Sequence, residues 1–80
     1  MKIYSCSANG KKWLYVIARS EKRAKYLYKR AVKCTIEEIR IRRFEVDVDD
    51  DEQECTISPD SDIARSYGVE YVERKRIQMH

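Results

Sequence analysis

Residues 20–35 read SEKRAKYLYKRAVKCT, and the fold turns on this stretch. Ala24, Leu27, Tyr28, Ala31 and Val32 recur at the i, i+3, i+4, i+7, i+8 spacing of one helical face. Ser20 suits the N-cap, since its hydroxyl can accept a bond from a free backbone N–H of the first turn. Glu21 places negative charge at the positive end of the helix dipole. The opposite face is cationic: Lys22, Lys25, Lys29, Arg30 and Lys33, with Arg23 at its flank and Tyr26 in its middle. The pattern predicts one amphipathic helix over residues 20–35. Its dry stripe needs a sheet, and its wet stripe suits phosphates or an acidic partner.

The chain before the helix supplies two strands, residues 2–8 and 11–19. Asn9 and Gly10 between them form a strong hairpin signal. A two-residue loop sets Cys6 opposite Trp13, Tyr4 opposite Tyr15 and Ile3 opposite Val16. One face then carries Ile3, Leu14, Val16 and Ala18, and the other Tyr4, Cys6, Trp13, Tyr15 and Ile17. The helix is expected on the aliphatic face. The aromatic face, Tyr4, Trp13, Tyr15 and Ile17, then needs the C-terminal segment, a second copy or a partner to cover it, and a homodimer is one expected outcome. Aromatic side chains on a sheet can also stack nucleobases.

Beyond the helix, residues 35–38, TIEE, have the form of a capping box opening one short turn. Residues 39–48 alternate as a long third strand, with Ile39 and Ile41 in one phase and Phe44, Val46 and Val48 in the other. A β-bulge at Arg42 and Arg43 would account for the slip. Residues 47–54, DVDDDEQE, are an acidic loop holding Asp47, Asp49, Asp50, Asp51, Glu52 and Glu54. Its opening matches the first ligand positions of an EF-hand, but Glu52 stands where glycine is needed and Ser58 where glutamate is needed. Ser58 and Pro59 open a short second helix over residues 59–67, with Gly68 suited to its C′ position. Residues 69–79 read as a fourth, edge strand. The sum is one small α+β domain, β-β-α-β-α-β, with a mainly antiparallel sheet packed on one amphipathic helix.

Charge is strongly segregated. Residues 1–43 hold thirteen Lys/Arg against three Asp/Glu, whereas residues 44–62 hold nine Asp/Glu and no Lys/Arg. Arg40, Arg42, Arg43, Arg74, Lys75 and Arg76 are placed to enlarge a basic patch if the later strands lie near the helix. No apolar run approaches the length of a membrane span, and the first residues lack the apolar stretch of a signal peptide, so the expected location is the cytoplasm without membrane contact. The three cysteines, Cys6, Cys34 and Cys55, are odd in number and widely spaced, which suits free thiols. The one histidine is His80. No metal ligand set, cofactor motif, glycine-rich phosphate loop or nucleophile–base pairing is visible, and an enzyme is not expected.

In size, absence of catalytic residues and segregated charge, the chain resembles small accessory proteins of phages and mobile elements, including anti-CRISPR inhibitors. The likeness rests on no motif, so it assigns no residue. Two functions follow as expectations. The first is a non-catalytic inhibitor or adaptor binding a protein, or a nucleoprotein complex, of nucleic-acid machinery. The second is a nucleic-acid binding module using Lys22, Lys25, Tyr26, Lys29, Arg30 and Lys33. The first is preferred because the acidic segment has no role in the second.

Overall fold

The amphipathic helix forms as its pattern requires and is shorter than the spacing predicts. The computed structural model describes residues 1–67. Helix α1 spans Glu21–Val32, and Ser20 accepts a hydrogen bond from the Arg23 backbone N–H. The helix stops at Lys33, whose φ of 56° is left-handed and whose N–H closes on the Lys29 carbonyl. Ala24 and Tyr28 are buried, and Leu27 and Val32 are partly so. Ala31 remains exposed.

Strands β1 (Lys2–Ser7), β2 (Leu14–Ala18), β3 (Arg40–Asp47) and β4 (Cys55–Ile57) make one antiparallel sheet in the order β3-β1-β2-β4. A short second helix, α2 (Asp62–Ser66), follows. The architecture is therefore α+β, with an antiparallel sheet and one main helix.

The hairpin register differs from the expected one by a residue. Ile3 pairs with Ile17, Tyr4 with Val16, Ser5 with Tyr15 and Cys6 with Leu14. The cause lies in the turn. Lys11 N–H bonds to the Ala8 carbonyl, and Gly10 has a φ of 74°, but Asn9 is not at positive φ. That is the signature of a type II turn, which does not match strand twist as a primed turn does. Pairing consequently resumes only at Leu14. Because side chains alternate, the slip re-sorts the faces.

Tyr4, Cys6, Val16 and Ala18 now face α1 and pack with Ala24, Tyr28 and Ile39. Ile3, Tyr15 and Ile17 face the other way and pack with Phe44, Val48, Ile57 and Ala64 of α2. The sheet thus has a core on each side.

This explains the phase slip in β3. No irregularity occurs at Arg42 and Arg43, where Ser5 and Tyr4 pair regularly. Ile39 and Ile41 point to the α1 side, and Phe44 and Val48 point to the other core. Each half of the strand is covered from a different side, so its apolar residues change phase without a bulge. The real irregularity lies further on, between the pairs Ile3–Phe44 and Lys2–Asp47.

Three smaller expectations also change. Thr35 makes no side-chain cap, although the 3-10 turn Ile36–Glu38 forms. Ser61, not Ser58, caps α2, accepting from the Ala64 N–H; residues 58–61 form a turn instead. Strand β4 follows the acidic segment directly, over three residues to which the sequence pattern assigns no element. The strand expected at residues 69–79, together with Gly68, Arg74, Lys75, Arg76 and His80, lies outside the described residues.

Candidate functional site

The register sets Asp47 and Arg40 at opposite ends of the sheet. At one end of β1, Lys2 faces Asp47 on β3 and Ala18 on β2. At the other end, Ser7 faces Arg40. The six residues of β1 separate these ends by roughly 17 Å.

The acidic end is tied into the fold. Lys2 Nζ donates to Asp47 at 2.6 Å, and the N-terminal ammonium donates to Asp50 at 3.0 Å. Glu54 accepts from the Arg19 backbone N–H at 3.0 Å and from Arg23 Nε and an Arg23 terminal nitrogen at 3.2 and 3.0 Å. Glu45 pairs with Arg43 at 2.8 Å. The Arg19 N–H and then the Arg23 guanidinium hold the Glu54 carboxyl below the usual carboxylate range. The bonds from Lys2 and the N-terminal ammonium do the same for Asp47 and Asp50. Asp49, Asp51 and Glu52 are exposed and make no ion pair among the described residues. With Arg19, Arg23 and Leu27, residues 50–54 border an open cleft of about 680 Å³. It offers no nucleophile with a base beside it.

The outer face of α1 keeps most of its expected character. Lys22, Lys29, Arg30 and Lys33 are exposed and make no ion pair among the described residues. Tyr26 is 41% exposed, with the Arg23 and Arg30 guanidiniums 5.4 and 5.8 Å from its ring centre. This arrangement stiffens an aromatic side chain among cations. Lys25 departs from the set. Its side chain is 30% exposed and turns back toward Glu21 at 3.9 Å.

The expected aromatic face does not exist as one surface. Tyr4 lies on the α1 side, 5% exposed, whereas Tyr15 and Ile17 lie on the other side at 0% and 3%. Trp13 alone stays exposed, edge-on to Tyr15 with ring centres 5.1 Å apart. The physical reason is the register slip, which separates Tyr4 from its expected neighbours, together with α2, which helps cover the rest.

Sequence reasoning passed over Lys11 and Lys12. The triplet Lys11, Lys12, Trp13 was the available signal, an aromatic adjoining two cations in a loop. That loop is fixed in place, since the Tyr28 hydroxyl donates to the Lys12 carbonyl from inside the α1 core. Lys11, Lys12, Trp13 and Arg40 therefore share one end of the sheet, toward which α1 also runs.

All three cysteines are free thiols. Burial pushes Cys6 up to about 12 and raises Cys55 as well. Among the described residues no group of three His, Cys, Asp or Glu is placed to hold a metal ion, and no helix is long and apolar enough to cross a membrane. No protein-family model, curated protein or solved structure matches the chain.

Proposed function

We propose that the chain is a non-catalytic nucleic-acid binding module, acting in the cytoplasm through cations at one end of its sheet and along α1. The observation that carries this reading is the division of charge. Lys22, Lys29, Arg30 and Lys33 have no acidic partner among the described residues, while Asp47, Asp50 and Glu54 are engaged at the end of the sheet from which α1 starts. The acidic segment favoured a protein partner for want of any other role. Its bonds to Lys2, Arg19, Arg23 and the N-terminal ammonium give it one, and they keep it away from Lys11, Lys12 and Arg40. Cations free of internal pairing can replace the counterions of a phosphate backbone, so affinity should fall steeply with salt.

The second reading is a protein-binding inhibitor or adaptor of nucleic-acid machinery, in the manner of phage accessory proteins. It is favoured by one feature: Asp49, Asp51 and Glu52 stay exposed near the start of α1. A partner bearing both signs of charge would fit that border. A salt titration of binding to single- and double-stranded DNA and RNA separates the two. Micromolar or tighter binding with a slope of several units supports the nucleic-acid reading. Weak binding to every probe at low salt removes it and leaves the protein partner.

A further inference from the structure

Among the described residues, the second core stops short of the loop end of the sheet. Beyond Phe44 and Tyr15, the same face continues as Arg42 beside Ser5 and Arg40 beside Ser7, with Trp13 preceding β2. Alternation places Ser5, Ser7, Arg40 and Arg42 on one side, and the Trp13–Tyr15 ring contact places Trp13 there too. Trp13 is 37% exposed, Arg40 is exposed, and the two serines are partly open. Arg42 lies over the Phe44 ring, its guanidinium carbon 5.3 Å from the ring centre. The result is a shallow floor of small side chains with an aromatic wall on one side and guanidiniums on the other. Neighbouring strands lie about 4.8 Å apart, so Trp13 and Arg40, on either side of β1, stand roughly 10 Å apart. That is close to the reach from a nucleobase to its own phosphates.

We propose that this open half of the sheet face is a stacking site for a base of single-stranded nucleic acid, with Trp13 as the platform and Arg40, Lys11 and Lys12 as the phosphate contacts. It rests on the nucleic-acid reading above and names its ligand. Charge complementarity selects a polyanion, since Trp13 shares this end of the sheet with the cations Lys11, Lys12, Arg40 and Arg42. The exposed ring selects a strand whose bases are unpaired, because a duplex keeps its base faces stacked inside. Trp13 is already braced against Tyr15, so little side-chain freedom is lost on stacking.

The chain has a single tryptophan, which makes Trp13 its own reporter. A short oligothymidine should quench its fluorescence, and a duplex of equal length should quench it much less. Trp13→Ala should weaken oligothymidine binding about tenfold while leaving the salt slope unchanged, because stacking involves no counterion release. Trp13→Phe should retain most of the affinity. Arg40→Gln, at an exposed position that the fold does not need, should lower the slope by about one unit. Steep salt-dependent binding that neither quenches Trp13 nor responds to Trp13→Ala would overturn the stacking site and leave the nucleic-acid reading standing. No binding at low salt would overturn both. Sedimentation showing self-association lost in Trp13→Ala would assign the face to a second copy and also overturn the proposal.

Discussion

The two faces of the sheet are closed to different degrees. On the α1 side, a helix of twelve residues lies across the strands and inserts Tyr28, which is fully buried and hydrogen-bonded to the Lys12 carbonyl. On the other side, α2 is five residues long and contributes Ala64, and among the described residues the core reaches as far as Tyr15. The first face holds the fold together. The second packs around Ile3, Tyr15 and Ile17, while Trp13 and Arg40 on the same face are exposed. Two side chains of the same chemical kind thus have different work: Tyr28 is structure, and Trp13 is surface.

The largest effect should come from breaking the closed face. Tyr28→Ala removes a fully buried ring and the bond that anchors residues 8–13, and should cost about 3–5 kcal/mol. In a domain of this size that threatens folding at room temperature. Thermal melts read by circular dichroism check it. Trp13→Ala, by contrast, should cost only about 1 kcal/mol, the rough worth of its edge-on contact with Tyr15. Equal losses for the two variants would erase the distinction between the faces.

Next in size is the acidic clasp at the far end. Glu54→Gln keeps the shape and removes the charge that Arg19 N–H and Arg23 address, at an expected cost of about 1 kcal/mol at neutral pH. The folded-state pKa of Glu54 lies below its ordinary value. Its contribution is therefore complete above the unfolded value, about 4.3, and is lost as pH falls through the folded one. Melts at neutral and acidic pH should show wild type and variant converging only in acid. A constant gap across that range would show that the carboxylate charge is not what Arg23 holds.

The thiols report the same comparison without mutation. Cys6 lies in the α1 core and burial pushes it up to about 12, so it should react with a disulfide reagent only after unfolding. Cys34 and Cys55 are more accessible and should react in the folded state. Three fast thiols would mean that the α1 face opens readily. The smallest effect on stability should come from the outer face of α1. Lys22→Glu with Lys29→Glu should change stability by under about 0.5 kcal/mol each, yet lower the nucleic-acid salt slope by roughly two units. An unchanged slope would remove α1 from the interface.

Much of this was legible in residue spacing, and the exceptions have identifiable causes. The α1 stripe and the Ser20 cap are local, governed by neighbours within a turn, and both were visible. The hairpin was visible in Asn9 and Gly10, but its register was not, because two turn types share that dipeptide and only the sign of φ at Asn9 divides them. The single-residue slip then moved Tyr4 away from Tyr15 and dissolved the aromatic face. The phase change in β3 was seen and its cause was not, since a bulge and a change of covering layer leave the same trace in sequence. Strand β4 has three residues, of which only Ile57 is buried, too short a pattern to register. The charge segregation was plain. That it is resolved by pairing within the fold depends on which end of the sheet each segment reaches.

Lys33 stands at φ 56°, the sole non-glycine left-handed residue among those described. Glycine adopts that conformation with less strain, and about 1 kcal/mol is the usual penalty for a side chain there. Lysine occupies it nonetheless, at the negative end of the α1 dipole and on the same cationic face as Lys29. The position is a trade-off between stability and charge. Lys33→Gly should make the protein harder to melt and at the same time remove one cation from the outer face of α1.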